Sequence, residues 1–261
     1  LSFSLKKYFI SHSFFIMTEN NPVFHFSGYA LVKDSLDCVP LDGRNVVNTI
    51  SPNSYGISVH DKAMDEALKG SEFLILDGVY FGWLPRFRYG QKIKRITGWD
   101  SFQYFSHKMQ ERKGRVFFLG SGEETLQMIK ERYAKDFPDV TVGTYSPPFK
   151  PEFTEEDNEA MHKAVNDFHP DVLFVGMTAP KQEKWSYRNK PYLDVHVITA
   201  IGNVFDWYAG NSKRPGVFWQ KIGMEWLVRI FLRPEVFRRN ITNQMLFFRH
   251  LLLILLRIKK L

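Results

Sequence analysis

Beyond "VPLDGRNVVNTISPN" the chain switches repeatedly between short β-rich runs and helical stretches, a pattern that few folds accept. "HDKAMDEALKGS" predicts a helix with Ala63, Ala67 and Leu68 on one face, and "FLIL" a buried strand. "DSFQYFSHKMQER", "EETLQMIKERYAKDF", "EEDNEAMHKAVNDF" and "KQEKWSYRNK" read as helices, while "RVFFLG", "VTVGTY", "DVLFVG" and "VHVITAIG" read as strands. Strands alternating with helices of this length mean βαβ units, so the fold class is α/β, a mostly parallel sheet flanked by helices. Ligands in such sheets bind beyond the carboxyl ends of the strands. Three loops that directly follow a strand are therefore candidate site loops: "DGVYFG", "GSGEET" and "GMTAPKQE".

With 44% hydrophobic and 16% aromatic residues, the 261-residue chain can bury one large core, which excludes a disordered chain. The single cysteine, Cys38, excludes an internal disulfide, and no C-x-x-C or His/Cys cluster offers a structural zinc site. A reducing compartment is expected. Residues 1–16, "LSFSLKKYFISHSFFI", resemble a weak signal peptide, but polar residues interrupt the apolar run and no small-residue cleavage site follows. A mis-assigned start upstream of Met17 explains them equally well, so they are set apart from a domain over 17–209 and an appendage over 210–261.

The net charge of +7 is carried by that appendage. Residues 212–261 hold eleven Lys/Arg and two acids, a net of +9, against −2 for the rest of the chain. Met224, Leu227, Ile230 and Phe231 recur at helical spacing before Pro234, and a second helical run follows it. On that second helix Arg238, Arg239, Arg249, Arg257 and Lys260 share one sector of about 100°, with apolar residues over most of the remainder. "LLLILL" is too short to span a bilayer, which takes ~20 apolar residues. The pattern suits a helix lying in an anionic membrane surface, or one packed on the sheet or on a second copy of the chain. Nucleic acid is not expected as a partner, because the charge comes without a polar surface or a recognisable module.

Several residues could do chemistry. Asp77 ends the strand "FLIL" and runs into Gly78, the commonplace signature of a turn but also a carboxylate at the ligand edge of the sheet. Gly120 and Gly122 stand between a strand and a helix, where free amides can cradle phosphate, yet Thr125 replaces the third glycine of a dinucleotide fingerprint. No D-x-D pair is present to hold a divalent cation on a diphosphate, so Arg, Lys and helix N-termini are expected to neutralise one. No metal and no cofactor is expected. Arg95 is one candidate, with a surface salt bridge as its plainer explanation. Gln182 and Glu183 lie in the first turn of a helix behind Pro180, and Gly202, Asn203 and Asp206 follow the last strand.

Taken in order, "SPN", "LDG", "RITGWD", "RVFFLGSG", "PKQEKW", "IGNVFDWYAG", "RP" and "MEWLVRIFLRPEVFRR" resemble the WecG/TagA/CpsF glycosyltransferases, glycosyltransferase family 26, over roughly residues 45 to 245. The resemblance implies a Rossmann-like catalytic domain with a helical, membrane-associating C-terminal appendage. It implies transfer of a hexose derivative from a nucleotide-sugar donor to a polyprenyl-diphosphate-linked sugar acceptor, peripherally on the inner face of the cell membrane, in cell-surface polysaccharide synthesis. By motif, Asp77 is similar to the proposed general base. Ser51, Asn53, Gly78, Arg95, Gly120, Gln182, Glu183, Gly202 and Asp206 fall at substrate-binding positions. Arg229, Arg233, Arg238 and Arg239 would meet the lipid diphosphate or the membrane. Ser51 stands where the family often has Thr, Thr178 where a glycine usually precedes "PKQE", and Arg214-Pro215 only partly matches Arg-Ala-Pro. With one candidate base and no evident nucleophile, direct displacement with inversion is expected. The rivals are a non-catalytic nucleotide-binding scaffold at the membrane, which would not need Asp77, and a nicotinamide-dependent oxidoreductase, which the missing third glycine disfavours.

Overall fold

The computed structural model describes residues 21–78, 81–216, 218–219, 228 and 234–256. Expectations for residues 1–16, for Met224, Leu227, Ile230 and Phe231, and for Arg229, Arg233, Arg257 and Lys260 lie outside the described residues, as does the side chain of Arg239.

The described residues form an eight-stranded sheet: β1 (Val23–Phe26), β2 (Tyr29–Val32), β3 (Asn45–Ile50), β4 (Phe73–Leu76), β5 (Arg115–Gly120), β6 (Thr141–Tyr145), β7 (Val172–Gly176) and β8 (Val197–Ala200). Their order is β1-β2-β4-β3-β8-β7-β5-β6. Only β1 runs antiparallel to its neighbour, closing a hairpin with β2 through Ser27 and Gly28, both at positive φ. Every other pairing is parallel. The α/β, mostly parallel sheet expected from the alternation is thus the observed architecture.

Helices α1 (Pro52–His60), α2 (Lys62–Lys69), α3 (Trp83–Tyr89), α4 (Gly98–Arg112), α5 (Glu123–Asp136), α6 (Glu155–Phe168), α7 (Lys181–Asn189), α8 (Val204–Ala209) and α9 (Pro234–Leu255) flank it. Their starts are written locally. Ser51, Thr97 and Thr154 each close a reciprocal capping box three residues on, with Ser54, Asp100 and Asp157. Side-chain alternation along the strands sorts the core into two faces. Phe118, Phe174 and Val197 pack with Phe102, Phe105, Tyr133 and Phe205 from α4, α5 and α8. On the other face Phe117, Leu173 and Val175 meet Met161 and Val165 of α6 and Trp185 of α7. In α2 the buried face is Met64, Ala67 and Leu68, so Met64 takes the place expected of Ala63, which is only partly covered. The long flexible thioether, not the methyl, reaches the core.

Helix α9 completes the second face. Phe247, Leu251 and Ile254 are buried with Tyr55, Phe81, Leu74 and Leu76. Phe247 stacks on Phe81 at 5.6 Å, and the Tyr55 hydroxyl lies 3.1 Å from His250 Nδ1. Burial of three such side chains contributes about 1.5–3 kcal/mol each. The crossing of α9 over α1 depends on Gly56, where a Cβ would come within 2.4 Å of the Asn243 carbonyl oxygen. The outer side of α9 leaves Met245, Phe248, Leu252, Leu255 and Leu256 exposed beside Arg238 and Arg249. Among the described residues no helix is long and apolar enough to cross a membrane.

Candidate active site

Because β2 to β8 are parallel, their carboxyl ends lie along one edge. The loops leaving β4, β3, β8, β7, β5 and β6 line a cavity of about 1390 Å³ there. All three loops expected to form a site contribute to its wall, through Asp77, through Ser121 and Gly122, and through Met177 to Glu183.

Asp77 is set by backbone exchange at the end of β4. Its N–H donates to the Ile50 carbonyl at 2.9 Å, which binds it to the end of β3. The segment before α4 then runs alongside, with the Ile96 N–H donating to Leu76 and the Lys94 N–H to Lys33. This brings Arg95 Nη2 to 3.3 Å from Asp77 Oδ1. Arg95 therefore makes its salt bridge not with a surface partner but with the candidate base itself, its own side chain mostly buried. It is not among the residues on the cavity wall. Gly78, at φ +107°, turns the chain directly after Asp77, and a Cβ there would stand 3.3 Å from the Pro52 ring.

Ser51 and Asn53 stand at the start of α1, on the cavity wall. The Ser51 hydroxyl accepts the Ser54 N–H at 3.2 Å, so it serves as the helix cap. Asn53 Oδ1 accepts from Asn243 Nδ2 of α9 at 3.2 Å, which ties α9 to the rim of the site, where Asn240 also lines the cavity. Gly202, at φ +53°, and Asp206 in the first turn of α8 form the wall beyond β8. Gly120 does not line the cavity. At φ +119° a Cβ on it would fall 2.6 Å from the Gly176 carbonyl oxygen, so it serves the packing of β5 against β7. The residues before α5 that do line the cavity are Ser121 and Gly122, the N-cap of that helix.

In the first turn of α7, Gln182 and Glu183 are buried, and Gln182 Nε2 donates to Glu183 Oε1 at 2.9 Å. Burial pushes the Glu183 carboxyl up; only the Gln182 amide and its own backbone N–H oppose that shift. Lys181 reaches the opposite wall, donating to the Lys150 carbonyl at 2.7 Å and lying over the Phe153 ring, and burial lowers its pKa.

One arrangement has no counterpart in the sequence reading. The Arg214 guanidinium lies between two indoles, 5.4 Å from the Trp99 ring centre and 5.5 Å from that of Trp207, and all three line the cavity. The segment before it is anchored by Asn211 Nδ2, which donates to Thr125 Oγ1 at 2.9 Å in the first turn of α5. Thr125, which breaks the dinucleotide fingerprint, thus holds this strap against the helix. Only the "RP" dipeptide hinted at Arg214.

The sequence model described as "Glycosyl transferase WecG/TagA/CpsF family" matches residues 20–261. A relative from Bacillus subtilis (strain 168) is 23% identical over 197 residues, 76% of this chain and 75% of the relative. One from Bacillus spizizenii is 25% identical over 194 residues, 74% of each. Both are named N-acetylglucosaminyldiphosphoundecaprenol N-acetyl-beta-D-mannosaminyltransferase.

Proposed function

Because the chain belongs to the WecG/TagA/CpsF glycosyltransferase family, we propose that it moves a hexose derivative from a nucleotide-sugar to a polyprenyl-diphosphate-linked sugar in bacterial cell-surface polysaccharide synthesis. The names of both relatives support N-acetylmannosamine as the transferred sugar, ahead of its uronic acid or glucose, and UDP is the expected nucleotide. The observation that carries the reading is Asp77 on the wall of the cavity at the carboxyl edge of the sheet, its carboxylate paired with Arg95.

In this reading Asp77 accepts the proton of the acceptor hydroxyl as its oxygen attacks the anomeric carbon. The bond to the nucleoside diphosphate breaks on the opposite side, so the anomeric configuration inverts. Arg95 holds the carboxylate in place. Negative charge gathering on the leaving diphosphate is met by Arg214, stiffened between Trp99 and Trp207, by Lys213, and by the amides at the start of α5. Gln182, Asn53 and Asp206 contact the sugars. Arg229, Arg233, Arg238 and Arg239 serve the lipid diphosphate and the anionic surface, and the exposed apolar side of α9 supports peripheral attachment to the inner face of the membrane.

The test is product analysis. A panel of nucleotide-sugars is incubated with a short-chain prenyl-diphosphate-sugar, and the anomeric configuration of the new linkage is read by proton coupling constants. Inversion from a single preferred donor is expected. Retention of configuration would sink the direct displacement.

A further inference from the structure

Two buried polar atoms on the cavity side of α7 have no hydrogen-bond partner among the described residues, Gln182 Oε1 and Glu183 Oε2. They are the remaining oxygens of the two groups already joined by the 2.9 Å bond from Gln182 Nε2 to Glu183 Oε1. Leaving a buried acceptor unsatisfied is costly, more so for a charged group, so two adjacent orphans call for an explanation. A single proton provides one. Carried on Glu183 Oε2, it can be donated to Gln182 Oε1 and close the acid–amide pair in both directions.

We propose that Glu183 is held as a neutral carboxylic acid whose role is to position the Gln182 amide, fixing which face of that amide meets the ligand. Both oxygens of Glu183 and the oxygen and one N–H of Gln182 are then engaged within the pair. The second N–H of Gln182 remains for the cavity, so Gln182 acts as a donor to a ligand oxygen. Gly202 is part of the device. A Cβ there would stand 3.2 Å from Gln182 Oε1 and 3.4 Å from Nε2, so the amide lies against a glycine that leaves it room.

The surroundings favour the neutral form. The strands under α7, β3, β7 and β8, carry no ionisable residue. On the outer side the charges are matched elsewhere: Lys184 pairs with Asp61, Lys69 with Asp65, Lys62 with Glu66 and Lys190 with Glu72. His162 of α6 bonds Asn189. Arg188 stands in the last turn of α7, Glu183 in the first, and Arg188 does not figure among the causes of the Glu183 shift. Around the cavity the charged residues are Asp77, Asp206, Lys150, Lys181, Lys213 and Arg214, and none of these contributes to the upward shift of Glu183, which comes from burial.

This inference rests on the proposed transfer reaction for its catalytic meaning but not for its chemistry, so it is tested in two arms. The first is stability. A carboxyl whose pKa is raised in the folded state binds more protons folded than unfolded, so it costs stability progressively as pH rises from about 4.3 toward the raised value. Denaturant midpoints of wild type and Glu183→Gln, an isostere able to form both bonds, are compared at about pH 5 and about pH 8. The variant is expected to gain on wild type as pH rises; a difference that does not change with pH overturns the proposal, with or without measurable turnover. The second arm is rescue. Glu183→Ala and Gln182→Ala are each expected to lower acceptor-dependent turnover ~10-fold or more, and Glu183→Gln to recover it to within ~3-fold of wild type. A Glu183→Gln enzyme as impaired as Glu183→Ala shows that the carboxylate itself is required and overturns the positioning role.

Discussion

Asp77 owes its position to the exchange of backbone hydrogen bonds where β4, β3 and the segment before α4 meet, not to its own side chain. Removing its charge should therefore spare the fold. Asp77→Asn is expected to lower kcat by ~10²-fold or more with a denaturant midpoint close to that of wild type. Glycine positions behave oppositely. Gly120→Ala places a methyl 2.6 Å from the Gly176 carbonyl oxygen at φ +119°, and should cost ~1–3 kcal/mol or more in equilibrium unfolding with no direct loss of a ligand contact. Asp77 and Gly78 were legible in the sequence because an acid-glycine pair ending an apolar run is a local signal. Arg214 was not. Its surroundings are assembled from residues 99, 207 and 214, and no local pattern records that Trp99 and Trp207 will both reach Arg214. Arg214→Lys keeps the charge but loses the planar guanidinium and its forked donors, and is expected to weaken nucleoside diphosphate binding ~10-fold in calorimetry. Equal affinity in the lysine variant would remove Arg214 from the diphosphate site.

Among the elements, α9 joins the sequence-distant end of the chain to the site. Its apolar positions Phe247, Leu251 and Ile254 finish the core over β4 and α1, while Asn243 bonds Asn53 on the cavity wall. Phe247→Ala should cost ~3–5 kcal/mol in urea unfolding, against less than ~0.5 kcal/mol for the exposed Arg238→Gln. The periodicity of this helix was readable, as was its start at Pro234, but which face it buries was not. Its apolar residues run most of the way round, and only the glycine at position 56 decides how closely α1 receives it. Strand β3 escaped the pattern for another reason. "NVVNTI" carries two asparagines, poor strand formers, yet it is a central strand, with the buried Asn48 donating from Nδ2 to Ser71 Oγ at 3.1 Å. The β1–β2 hairpin was likewise passed over, its strands only four residues each. The long βαβ units from β4 onward were plain, since runs such as "FLIL" and "VLFVG" are apolar along their whole length, as a sheet covered on both faces requires.

At the scale of the whole molecule, charge and site are arranged along one chain. The last fifty residues hold a net +9 while the rest is near neutral, and the outer side of α9 adds exposed apolar side chains to that charge. Binding to vesicles of an anionic phospholipid should accordingly be strong at ~0.05 M salt and weakened, not abolished, at ~0.5 M, because screening removes the Coulomb attraction and leaves the apolar contact. Sedimentation that ignores salt would argue against the basic residues as the membrane contact. The central claim is that this cavity transfers a sugar with Asp77 as base. It is tested most directly by measuring nucleoside diphosphate release from a nucleotide-sugar, with and without a prenyl-diphosphate-sugar acceptor, in wild type and Asp77→Asn. Acceptor-dependent release in the wild type that falls ~10²-fold or more in the variant is the predicted result. Release that is undiminished in Asp77→Asn would contradict it.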